Sequence, residues 1–158
     1  MPVAKLKELL DREGIKYLSI AHSPAFTAQE IAASAHIPGK EVAKTVMIKL
    51  DGKMVMTVLP APARVDLDRL REVTGATKVE LGTEDDFKRL FPDCETGAMP
   101  PFGNLYGFDV WADRELAEDQ DIAFNAGTHA ELIRMSYADF ERLVQPNLAE
   151  FTVPAVMA

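Results

Sequence analysis

Two strand-like runs, VAKTVMIKL over residues 42–50 and KMVMTVL over 53–59, are separated only by Asp51-Gly52. In the first run Val42, Lys44, Val46, Ile48 and Leu50 fall on one face. Asp-Gly between two such runs marks a two-residue hairpin, whose turn needs positive φ at both central positions. The rest of the fold must therefore be laid against an antiparallel pair. A second hairpin candidate, around Gly127-Thr128, joins expected strands at Ile122–Ala126 and Glu131–Met135. Together the two favour a mixed, mostly antiparallel sheet over a doubly wound parallel one.

Helical signals are interspersed with these strands. Val3 to Glu13 places Val3, Leu6, Leu9 and Leu10 on one stripe, with Gly14 where a left-handed cap fits. Ile15, Tyr17 and Leu18 to Ile20 follow as a short strand. Thr27-Ala28-Gln29-Glu30 reads as a capping box with a Phe26/Ile31 staple, opening a helix through about Ala35 before Pro38-Gly39. Asp66 caps a helix with the stripe Leu67, Leu70 and Val73, stopped by Gly75. Lys78 to Leu81 reads as a strand, Thr83 to Asp86 as another helix start before Pro92, and Leu105 to Trp111 as a further strand. Ser136 opens a last helix through Val144. The expected fold class is thus mixed α/β (α+β), a central, largely antiparallel mixed sheet flanked by helices.

With 158 residues and 47% apolar content, the chain can bury one sizeable core, and a single domain over 1–158 is expected. No basic start precedes an apolar run, and no stretch approaches the roughly 18 apolar residues of a membrane span, so a cytoplasmic location and no membrane partner are expected. The lone cysteine, Cys94, has no internal partner for a disulfide, which fits a reducing compartment. A net charge of −8 argues against a broad grip on duplex DNA or RNA, which needs many phosphate-facing cations. Nucleic-acid contacts should be few, at residues such as Lys40, Lys44 and Arg64.

Lys44 is the most informative residue, because its register puts an ammonium on a face that should point inward. The competing reading is a strand-end lysine that snorkels to solvent. The segment from Asp93 to Asn104, DCETGAMPPFGN, lacks periodicity and reads as an ordered loop whose backbone N–H groups could face a ligand, or as a plain connection. His22, His36 and His129 are far apart and match no zinc spacing, so neither a metal nor a cofactor is expected. Ser23, Ser34 and Ser136 lack a nucleophile-elbow context. Asp109 and Asp113 form a carboxylate pair in spacing only.

Four segments, FTAQEIAASAHIPGKEVAKTVMIK, VLPAPARVDLDRL, TGAMPPFG and NAGTH, occur in an order that resembles the YbaK-like family of aminoacyl-tRNA deacylases. That family is related to the editing domain inserted in bacterial prolyl-tRNA synthetases. The resemblance spans roughly Phe26 to Val144 and is carried chiefly by the Ala-Lys-Thr of the first hairpin strand and the Gly-x-x-x-Pro loop, Gly97 to Pro101. It implies a trans-acting hydrolase that removes a wrongly attached small amino acid from the tRNA 3′ end, with an aminoacyl-tRNA synthetase as a further partner. Lys44 takes the place of the family's essential lysine, and Gly97 belongs to the backbone element that holds the substrate carbonyl. Phe26, Thr45, Ala98, Met99, Pro101 and His129 are then expected to contact substrate. The second proline, Pro100, departs from the commoner loop pattern. The rivals are a non-catalytic module that binds tRNA or a synthetase, and a hydrolase of another small amino-acid ester.

Overall fold

The computed structural model describes residues 2–21, 41–83, 85–86, 89, 99–127 and 131–154. Helix α1 (Pro2–Arg12) turns Leu6, Leu9 and Leu10 inward and ends at Gly14, whose φ of 69° admits the turn into β1 (Tyr17–Ala21). The hairpin forms as its turn demands: β2 (Ala43–Leu50) and β3 (Lys53–Pro60) pair along their whole length, with φ of 50° at Asp51 and 85° at Gly52. The Asp51 carboxylate also accepts from the N–H groups of Thr77 and Lys78, which pins the approach to β5 (Val79–Leu81).

A five-stranded sheet is built on this hairpin in the order β5-β2-β3-β6-β9, with β6 at Val110–Asp113 and β9 at Asn147–Ala149. Its β5/β2 and β2/β3 pairings are antiparallel, and β3/β6 and β6/β9 are parallel. A three-stranded antiparallel sheet, β1-β8-β7, joins β7 (Asp121–Asn125) and β8 (Glu131–Ser136) to the first strand. A parallel bridge between Val42 and Ala123 connects the start of β2 with β7. Two short strands, β4 (Ala63–Val65) and β10 (Thr152–Pro154), form a separate ribbon.

Strand β2 is buried on both faces, where its alternation suggested one. Ala43 and Met47 join Met56, Val58 and the α1 leucines in the larger core, while Ile48 packs with Val55, Leu70 and Phe151 in a second. Leu70 comes from α2 (Leu67–Thr74), whose first N–H groups are capped by Asp66 and whose end is turned by Gly75 at φ 73°. The expected helix after Thr83 begins with a reciprocal cap: the Thr83 N–H donates to the Asp86 carboxylate and the Asp86 N–H to the Thr83 hydroxyl. Hydrogen bonds from the Thr83 backbone and hydroxyl, then from Lys49, hold the Asp86 carboxyl down at about 2. Helix α3 (Tyr137–Val144) starts under Ser136, which accepts from the Asp139 N–H, and buries Tyr137, Phe140 and Val144.

The expected strand over Leu105–Trp111 is shorter than its apolar content suggested. Gly103–Tyr106 is a 3-10 turn closed by Gly107 at φ 80°, and pairing starts only at Val110. Gly103 itself is required by close approach, because a Cβ there would lie 2.9 Å from Val110 Cγ2. The capping box at Thr27 lies outside the described residues. No helix among the described residues is long and apolar enough to cross a membrane.

Candidate functional site

Lys44 is the second residue of β2 and sits opposite Leu59 of β3. Strand alternation puts it on the side of Val46 and Ile48, as its register indicated, at the end of that row nearest the bridge to β7. It is half-buried, and burial lowers the pKa of its ammonium from the ordinary 10.5. Among the described residues no carboxylate forms an ion pair with it. A partly dry cation of this kind is able to attract an anionic or strongly dipolar group.

Thr45, the next residue, faces the opposite side of the sheet, with its cross-strand partner Val58 in the larger core. Its hydroxyl donates to the Met99 carbonyl at 3.1 Å. That bond ties the middle residue of the Gly-x-x-x-Pro loop to β2 at the position next to Lys44, across 54 residues of sequence. Met99 is 4% exposed, so its side chain belongs to the core and what it can offer a ligand is its backbone. Pro100 and Pro101 are buried, and Phe102 is clamped between Phe124 at 5.7 Å and Phe140 at 5.6 Å. The exit of the loop is therefore rigidly seated. Gly97, Ala98, Phe26 and His129 lie outside the described residues.

Strand β7, which leads in sequence toward His129, lies beside the start of β2. Because the Val42–Ala123 bridge is parallel, both chains leave it in the same direction, β2 toward Lys44 and β7 toward Asn125. Ala126 donates to the Glu131 carbonyl across the base of the β7–β8 turn, at 3.1 Å. Glu131 in turn takes the Lys7 ammonium at 2.8 Å and the Ser19 hydroxyl, joining α1 and β1 to the turn. Burial alone would raise its carboxyl pKa, and these donors more than offset that, leaving it lowered. Nothing in the sequence pattern singles out this cluster, because its members stand on three elements and share no spacing.

Other sequence candidates separate cleanly. Asp109 pairs with Lys53 at the surface, at 3.0 Å, whereas Asp113 is buried and accepts from the N–H groups of Glu115 and Phe151. They make no acid–base pair. No group of three or more His, Cys, Asp or Glu side chains that could hold a metal occurs among the described residues. Ser136 is spent on its helix cap.

The sequence model of the aminoacyl-tRNA editing domain matches residues 22–143, a span that contains Lys44, the Gly97–Pro101 loop and the β7–β8 turn. Over 152 residues the chain is 28% identical to the multifunctional Ser/Thr-tRNA deacylase ProXp-y of Escherichia coli (strain K12), covering 93% of this chain and 90% of that protein. It is 26% identical over 152 residues to the prolyl-tRNA editing protein ProX of Acetoanaerobium sticklandii, covering 92% and 89%. A proline--tRNA ligase of Bacillus mycoides matches at 28% over 89 residues, which is 56% of this chain and 16% of the ligase. A solved structure described as a candidate trans-editing enzyme for prolyl-tRNA synthetase superposes with a TM-score of 0.83 at 17% identity, over 96% of this chain and 97% of that one, so the fold is shared. The chain belongs to the aminoacyl-tRNA editing domain family and is an aminoacyl-tRNA deacylase.

Proposed function

We propose that the protein, acting in trans, releases a small amino acid from the 3′ end of mischarged tRNA, with Lys44 and the Gly97–Pro101 loop as the two working parts of its site. The observation that carries this reading is the Thr45–Met99 hydrogen bond, which seats the middle of the loop on β2 at the residue next to a half-buried ammonium, on the opposite face of the strand. An aminoacyl ester is already an activated acyl group, so hydrolysis needs a positioned water and a stabilised oxyanion rather than a nucleophilic side chain. Water adds to the ester carbonyl, the tetrahedral oxyanion collapses, and the ribose oxygen leaves with a proton, giving free amino acid and tRNA. In this mechanism Lys44 anchors the phosphate of the 3′ adenosine or its polar neighbours. Backbone N–H groups between Gly97 and Met99 face the oxyanion, and a ribose hydroxyl assists the water. Phe26, Ala98, Pro101 and His129 complete the substrate contacts, and no metal or cofactor takes part.

The names of the two relatives that match over most of their length, a Ser/Thr-tRNA deacylase and a prolyl-tRNA editing protein, support a small acyl group. The match to a region of a proline--tRNA ligase supports a synthetase as the partner from which mischarged tRNA is received. The test is single-turnover deacylation of tRNAs carrying Ala, Ser, Thr or Cys, by wild type and Lys44→Ala. Wild type should release at least one of these, and Lys44→Ala should be slower by about 10² or more, the scale of losing one electrostatic contact to the transition state. Binding of these tRNAs without release by wild type would make the protein a sequestering module instead.

A further inference from the structure

We infer that Thr45 is a positioning residue of the hydrolytic reaction, acting on the loop rather than on the substrate. The inference rests on the proposed role of the Gly97–Pro101 loop. Alternation along β2 sends the Lys44 and Thr45 side chains to opposite faces, so one pocket does not receive both directly. The Thr45 hydroxyl proton is instead committed to the Met99 carbonyl at 3.1 Å.

The consequence lies in the backbone of Met99. Its following residue is Pro100, which has no N–H and whose ring disfavours a helical conformation at Met99. The Met99–Pro100 peptide therefore presents only an acceptor, and Thr45 takes it. With the side chain buried in the core, the carbonyl bonded to β2 and the conformation narrowed by Pro100, both torsions of Met99 are restrained. The aim of its N–H, the donor immediately before this fixed peptide, is restrained with them. A donor pre-aimed at the developing oxyanion costs no reorganisation during the reaction, whereas one free to rotate loses much of that advantage. This also gives the Pro100-Pro101 pair a role: it substitutes stiffness for the conformational freedom that a single proline would leave.

The test compares Thr45→Val, which keeps the shape and removes the donor, with Thr45→Ser, which keeps the donor and removes the methyl. Steady-state deacylation of a tRNA that wild type edits separates kcat from KM, at a temperature where thermal unfolding shows each variant folded. Thr45→Val should lower kcat about 10-fold to 100-fold with KM within about twofold, a loss smaller than or comparable to that of one oxyanion donor. Thr45→Ser should recover most of the rate. Wild-type kcat in folded Thr45→Val overturns the inference, and so does Thr45→Ser as slow as Thr45→Val. A rise in KM alone overturns it in favour of direct contact between Thr45 and substrate. Gly97→Val, run alongside, blocks the loop itself: if it edits normally the loop reading fails, whereas an inactive Gly97→Val beside a fully active Thr45→Val removes only the inference drawn from Thr45.

Discussion

At the scale of single residues, Lys44 sets two demands against each other. Burial lowers its pKa below 10.5, so between the folded value and 10.5 the unfolded chain binds more protons than the folded one. Its cost to folding is fully present below the folded pKa and disappears as pH rises past the unfolded value. Lys44→Met removes that cost, so its unfolding midpoint at pH 7 should equal or exceed that of wild type, with the difference closing above about pH 10.5. Activity runs the other way. If the ammonium is the working form, the enzymatic rate, corrected for spontaneous ester hydrolysis, should fall as pH climbs through a value below 10.5, and Lys44→Met should lack that limb. Lys44→Arg should also edit poorly, because a planar guanidinium on a longer reach does not replace a compact charge. A wild-type rate in folded Lys44→Arg would show that only charge matters at this position. The half-buried placement of Lys44 was legible because a charge in an apolar register stands out. The Thr45–Met99 bond was not, since a threonine is ordinary in a strand and its partner lies 54 residues away.

Among the elements, legibility followed local chemistry. The Asp51-Gly52 turn, the Asp66 and Ser136 caps and the Gly75 stop were readable because each is decided by a few adjacent residues. Strands β4, β9 and β10 were not, since three residues carry no periodicity and their pairing is set by distant partners. Leu105, Tyr106 and Phe108 resembled a strand by composition, but a left-handed Gly107 interrupts any ladder there. The parallel β3/β6 pairing was hidden for a related reason: it joins segments more than 50 residues apart without a turn to announce it. The helix caps allow a quantitative check. The Asp66 carboxylate accepts from the N–H groups of Asp68 and Arg69 at 3.1 and 3.2 Å, and α2 covers the second core with Leu70. Asp66→Ala should cost about 1 kcal/mol in chemical denaturation, the usual worth of an N-cap. α2 packs on the Lys44 face of β2, but against Ile48, four residues farther along the strand, so editing by the folded variant should be little changed. A large loss of rate without unfolding would place α2 in the substrate path.

For the molecule as a whole, the mixed fold class was legible, although the strands distribute over three hydrogen-bonded sets rather than one. Charge is the property that most limits how so acidic a protein meets tRNA. Net charge is −8, and of the 17 basic side chains at least nine lie within ion-pair distance of a carboxylate of this same chain. Such surface pairs add little to stability, but each leaves its cation partly neutralised before any phosphate arrives. Lys44 is different, as no carboxylate among the described residues offsets it. Binding should accordingly rest on a short stretch at the acceptor end, with about three phosphates engaged. Each neutralised phosphate contributes roughly 0.7 to 0.9 to the slope of log K against log salt, so a plot for intact tRNA should have a slope near −2 to −3. Lys44→Ala should make that slope shallower by about one unit if its ammonium meets a phosphate, and leave it unchanged if it meets only neutral polar groups. A wild-type slope of about −5 or steeper would mean roughly six or more phosphate contacts, and the acidic surface would then have to carry a basic track outside the site.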